Sequence, residues 1–144
     1  MKLVLEQGLE IPETEVVVRC RCVDRRLNKL MAYIRQYSIS LEGKAEGGSY
    51  QIPLENILYI DSVEGKGFLY TARQVYETRE TLTALEQRLK DTSFQRISKN
   101  CILNLSHLTC VSPLWNHRME ATLSNGEKLI ISRTYLEPLK QKLS

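Results

Sequence analysis

A mainly β fold with small helices is predicted by three features of this 144-residue chain. From Tyr50 onward, short apolar segments alternate with glycine-bearing turns. Two alternating runs, Arg118–Leu123 and Lys128–Ser132, flank Asn125-Gly126, a strong hairpin signal. Helical spacing is confined to three short stretches. The length suits one domain with a real core and a small appended element.

The first forty residues read as their own unit. Lys2–Leu9 alternates weakly, Pro12 marks a turn, and EVVVRCRCV (Glu15–Val23) has strand character. Asp24 is placed to cap a helix whose stripe is Leu27, Leu30, Met31, Ile34 and Tyr37. Arg25, Arg26, Lys29 and Arg35 lie largely off that stripe. The expected order is strand, turn, strand, helix. The stripe must pack either on the remainder of the chain or on a second copy, which makes residues 1–46 a candidate dimerisation element. Ser38–Gly48, with Gly43, Gly47 and Gly48, is the best internal boundary, leaving 47–144 as the main domain.

In that domain Gln51–Asn56 leads into a strand over Ile57–Val63. Gly65, Lys66 and Gly67 form a tight turn, and Phe68–Tyr76 supplies the returning strand. Thr78 is the candidate cap of the clearest helix, marked by Leu82, Leu85 and Leu89. Phe94–Leu105 returns to β character, with Ser98, Lys99 and Asn100 interrupting its apolar pattern. Leu108–Val111 gives another short strand before Pro113, and Trp115-Asn116-His117 a loop or turn. Met119, Ala121 and Leu123 share one side of the hairpin that Leu129 and Ile131 complete. Thr134–Leu143 ends the chain as a helix, and Pro138 fits its first turn if it starts near Leu136.

Composition narrows the function classes. The net charge of +3 is weak evidence by itself. Its distribution says more: residues 91–144 hold seven Lys/Arg against four acids, whereas 45–90 hold five against seven. Cys20, Cys22, Cys101 and Cys110 suggest no disulfide framework and read as reduced, buried small hydrophobes in a cytoplasmic protein. No signal peptide follows Met1–Leu5, and no apolar run reaches membrane-spanning length. His107 and His117 lie in no zinc or metalloprotease spacing, Gly65 and Gly67 in no phosphate-loop pattern, and Ser98 and Ser132 in no triad order. A non-enzyme with no metal, no cofactor and no small-molecule substrate is expected.

The residues that remain suit nucleic acid. Lys99 offers a mobile charge to phosphate or guanine, and Asn100 a donor and acceptor for adenine or the backbone. Arg133 has a rigid fork for bidentate contacts. Lys66 stands on a glycine turn that permits close approach. Asn104, set among Ile102, Leu103 and Leu105, is better suited to capping a turn than to touching DNA.

From about Gly47 to Leu143 the chain resembles the LytTR-type DNA-binding domain of bacterial response regulators. The text that carries the likeness is ENILYIDSVEGK, the strand Phe68–Tyr76, TRETLTALEQRL, FQRISKNCILNL and LSNGEKLIISRTY, in that order. The resemblance implies an elongated, mostly β fold of about ten strands. It also implies inter-strand loops that enter major grooves of double-stranded DNA, and paired direct or imperfect repeats read by a homodimer. Lys66 and Gly67 match one contacting loop. Ser98, Lys99 and Asn100 match a second, whose commoner form is His-Arg-Ser, so a lysine point charge here replaces an arginine fork. Arg133 and Tyr135 match the family's SRxY ending, while Arg96 and Asn104 fall to supporting roles. No receiver domain is expected ahead of the motif, and the N-terminal unit resembles the extension of stand-alone regulators that act beside a small membrane protein. A sequence-specific transcriptional regulator is the expectation; the alternative is a protein–protein scaffold that does not bind DNA.

Overall fold

The computed structural model describes residues 1–143. Ten strands form two antiparallel sheets. The first contains β1 (Ser40–Ala45), β2 (Gly48–Pro53), β3 (Ile57–Val63), β4 (Lys66–Thr71), β5 (Val75–Thr78), β6 (Phe94–Ser98) and β7 (Cys101–Asn104), in the spatial order β2-β1-β5-β4-β3-β7-β6. The second contains β8 (Leu108–Pro113), β9 (Met119–Leu123) and β10 (Lys128–Ile131), in the order β10-β9-β8. The helices are α1 (Arg25–Tyr37), α2 (Leu82–Arg88) and α3 (Leu136–Leu143). No described helix is long and apolar enough to cross a membrane.

Strand alternation divides the interior in two. Ile57, Ile60, Leu69 and Ile102 point to one face of the large sheet, where Leu82, Leu85 and Leu89 at α2 and Phe94 close a first core. Leu58, Tyr59, Ile97, Cys101 and Leu103 point to the other, meeting Ala121 and Leu123 of β9, Ile131 of β10 and Leu139 of α3. The run Ile57–Ile60 is therefore buried on both faces, as a central strand requires. Pro138 falls in the first turn of α3, where its missing N–H removes no helical hydrogen bond.

Four local expectations are corrected. Residues 1–24 hold no strand: EVVVRCRCV has strand composition but no neighbouring chain to complete a ladder, and its side chains are exposed. Phe68–Tyr76 divides into β4 and β5, because the Thr71 hydroxyl accepts from the N–H groups of Arg73 and Gln74 and folds the chain over. The cap of α2 is Thr81, whose Oγ1 accepts from Ala84 N–H at 3.1 Å; Thr78 is buried at the end of β5. Among the cysteines only Cys101 is buried; Cys20, Cys22 and Cys110 are exposed. Asp24 does cap α1, accepting from Leu27 N–H at 2.8 Å. The 46/47 boundary coincides with the tip of the β1–β2 hairpin, so β1 belongs to the same sheet as the main domain.

Candidate nucleic-acid interface

Two hairpin tips emerge at one end of the large sheet, β3–β4 and β6–β7, while the β1–β2 tip lies at the other end, because β1 runs antiparallel to β5. The β1–β2 tip is Glu46-Gly47, the β3–β4 tip is Glu64-Gly65, and the β6–β7 tip is Lys99-Asn100. Glu64 and Gly65 both have positive φ, 53° and 80°, the backbone of a tight type I′ turn. Lys66 is thus the first residue of β4 and sits just beyond the turn it was expected to occupy. Gly67 is needed for packing: a Cβ there would lie 2.7 Å from Thr78 Cγ2 on β5.

Register fixes the order of side chains along this edge. Gly67 pairs with Ser62 on β3, and Ser62 donates its N–H to the Asn100 carbonyl at 2.8 Å. Asn100 leads into β7, and β6 lies beyond it. On the outer side of β6, Ser132 N–H donates to the Ile97 carbonyl at 2.9 Å, and Arg133 follows immediately. The order across the edge is Lys66, then Lys99 and Asn100, then Arg133. Four inter-strand steps at ~4.8 Å give this row a span of about 19 Å.

The row is exposed and electrostatically free. Lys66, Lys99, Asn100 and Arg133 are exposed, and none has a side-chain hydrogen bond or ion pair among the described residues. Ser98 and Tyr135 are half-buried. The Ser98 hydroxyl accepts from Asn100 N–H at 3.3 Å, and Tyr135 N–H donates to Ser132 O at 3.0 Å, so both shape the backbone of the edge. Trp115, exposed beyond β8, plays no part in this row.

Arg96 holds the central tip in place. Its guanidinium donates to the Ser98 and Lys99 carbonyls and pairs with Glu86 of α2 at 3.2 Å. With its side chain only 12% exposed, it has little freedom to reach a ligand. Its place in FQRISKN marks Arg96 only as a neighbour of the site; its specific task depends on Glu86, ten residues away on a different element.

Asn104 lies at the opposite end of β7. Buried, it donates to the Ile57 carbonyl at 2.9 Å and the Leu54 carbonyl at 3.4 Å. Its Oδ1 accepts from Ser106 N–H and Oγ, and lies 2.6 Å from the Ser93 hydroxyl. That hydroxyl is also 2.6 Å from Gln36 Oε1, so one proton serves two acceptors and ties α1 to the network. The amide caps the Leu105–His107 turn and takes no part in the exposed row.

Comparison with known proteins agrees with this architecture. Residues 47–144 match the LytTr DNA-binding domain. The sensory transduction protein LytT of Bacillus anthracis is 36% identical over 92 residues, 64% of this chain and 37% of that protein. The transcriptional regulatory protein LytR of Staphylococcus aureus is 29% identical over 104 residues, 72% of this chain and 42% of that protein. The chain therefore spans less than half the length of these curated relatives. A LytTr DNA-binding domain of a putative methyl-accepting/DNA response regulator from Bacillus cereus shares the fold with a TM-score of 0.70 at 20% identity, over 74% of this chain and 98% of that one. Residues 47–144, with their ten-strand setting, make this chain a member of the LytTr DNA-binding domain family.

Proposed function

We propose that the chain is a sequence-specific transcriptional regulator that binds double-stranded DNA through the inter-strand turns along one edge of its large sheet. The observation that carries the reading is the row of exposed, unpaired Lys66, Lys99, Asn100 and Arg133. Its span of about 19 Å exceeds one major-groove width of about 12 Å. The outer cations are therefore suited to phosphates on either rim, with Lys99 and Asn100 directed between them at base edges. Asn100 can donate and accept at one adenine, which no point charge can do. Lys99 can approach guanine acceptors without the bidentate geometry of an arginine. The anchoring of this tip by Arg96 and Ser62 supports base readout, since a mobile tip would lose contact energy to ordering. The family match supports DNA as the partner, and the cytoplasm of a bacterial cell is the corresponding compartment.

Selection of bound duplexes from a random library, followed by footprinting, tests specificity. A defined motif whose enrichment collapses for Asn100→Ala supports the reading. Equal affinity for all duplexes, unchanged by Asn100→Ala and Lys99→Ala, would contradict it. The scaffold alternative predicts no duplex binding even at low salt.

A further inference from the structure

Residues 1–37 contain two oppositely charged halves that are not joined in the monomer. Residues 1–18 carry Glu6, Glu10, Glu13 and Glu15 against Lys2. Residues 19–35 carry Arg19, Arg21, Arg25, Arg26, Lys29 and Arg35 against Asp24. Both halves also present apolar side chains to solvent: Leu3, Leu5, Val16 and Val17 in the arm, and Leu30, Tyr33 and Tyr37 on α1 at 40%, 48% and 70% exposure. Every residue from 1 to 26 except Gly8 is exposed, and no ion pair links the two halves among the described residues.

α1 is nonetheless held firmly at one end. Gln36 is buried and accepts from Ser93 N–H and Oγ, and the last turns of α1 pack near Leu54–Asn56. Leu27, Met31 and Ile34 are half-buried, whereas Leu30, Tyr33 and Tyr37 form an adjoining stripe that is left exposed. An amphipathic helix gains most of its stability from covering such a stripe.

We infer that residues 1–37 form the interface of a symmetric dimer, the acidic apolar arm of one copy lying along the basic apolar α1 of the other. A two-fold interface brings the same two surfaces together twice, so each arm finds a helix and each helix an arm. Opposite charges fix the register, and the Val/Leu side chains of the arm cover the Leu30–Tyr33–Tyr37 stripe. An interface of standard size uses about 20–30 residues a side, which residues 1–37 supply. Lys66, Lys99, Asn100 and Arg133 are all exposed with the arm present, so the arm does not cover that row.

The test is the solution mass of the full chain by sedimentation velocity across a wide concentration range, without DNA. Its outcome is thus separate from the DNA reading. The wild-type chain should dimerise. Reversal of the arm (E6K/E10K/E13K/E15K) or of the helix (R25E/R26E/K29E/R35E) should each raise the dissociation constant by about tenfold or more. Because the reversed residues are exposed, circular dichroism should be unchanged. Mixing the two reversed proteins should restore a dimer, since each arm then meets an opposite helix. A monomer at all concentrations overturns the inference, as does a dimer indifferent to both reversals or no rescue on mixing. Monomers that co-sediment with anionic vesicles through the α1 cations would assign this surface to a membrane instead, and also overturn it.

Discussion

At one end of β7, Asn104 is buried and both ends of its amide are engaged. At the other, Asn100 is exposed and its amide has no partner among the described residues. The same residue type, four positions apart, is committed to the fold in one case and available to a ligand in the other. What separates them is environment. Asn104 faces carbonyls left over where Leu54–Ile57 turns into β3, and a buried amide is the means to satisfy them. Asn100 sits on a hairpin tip whose backbone is already secured by Ser62 and Ser98, so its side chain is not needed to hold the turn. In the proposed reading, stability and recognition fall at opposite ends of one four-residue strand.

The sharpest way to break this contrast is to exchange the roles. Asn104→Ala should cost about 3 kcal/mol or more, because it strands buried carbonyls and the Ser93 and Ser106 hydroxyls. Urea denaturation measures it. Asn100→Ala should change stability by no more than about 0.5 kcal/mol while discrimination at one base pair falls by about 1–3 kcal/mol. Equal stability losses at the two positions would erase the distinction.

Arg96 joins the two roles and should show both effects at smaller size. Arg96→Lys keeps the charge but loses the fork that reaches Ser98, Lys99 and Glu86 together. A stability loss of about 1–2 kcal/mol is expected. Weaker DNA binding should accompany it even under conditions where the variant is fully folded. Glu86→Gln should reproduce part of the binding loss without touching the exposed row.

Within the row itself, Arg133→Ala and Lys99→Ala should weaken binding more than Lys66→Ala. Lys66 shares its tip with Glu64, whose charge opposes phosphate approach, whereas Arg133 is preceded by Ser132 and followed by Thr134. Thermal midpoints should be almost unchanged in all three. Affinity measured at several salt concentrations separates loss of a phosphate contact from loss of base contact.

The smallest expected effect concerns Cys101. Burial, with Asp61 nearby, pushes its thiol up to about 12 from an ordinary value of 9.0. In the native protein it should resist a thiol reagent that modifies exposed Cys20, Cys22 and Cys110 quickly. The folded state holds the Cys101 proton where the unfolded chain releases it, so this group makes stability fall as pH rises from about 9 toward 12. Cys101→Ala should flatten that slope by up to ~1.4 kcal/mol per pH unit.

Much of this arrangement was legible from residues alone. Asn125-Gly126 marks the β9–β10 hairpin, although only Gly126 has positive φ. The turn therefore closes as a three-residue type with Gly126 N–H donating to Leu123 O, and not as a two-residue one. Leu82, Leu85 and Leu89 do pack inward, yet the cap was misplaced because Thr78 and Thr81 are equivalent in isolation and only ladder pairing with Gly67 removes Thr78. EVVVRCRCV shows the converse: strand composition without a strand, since pairing is a property of neighbours and not of the segment. The candidate residues of the row were individually visible as polar positions at turns. Their common edge was not, because it follows from antiparallel register across four strands, from β4 to β6. The links that set it, Ser62 to Asn100 and Ser132 to Ile97, join residues more than thirty positions apart.

The most direct test is the salt dependence of duplex binding by the wild-type chain and by the triple variant K66A/K99A/R133A, with folding of both followed by circular dichroism. The wild-type affinity should fall steeply with salt. The variant should keep its fold and lose about two units of the log–log slope, near one for each phosphate contact removed at Lys66 and Arg133, with a further loss of affinity from Lys99. A folded triple variant that binds duplex with wild-type affinity and slope would show that DNA is gripped elsewhere on the molecule.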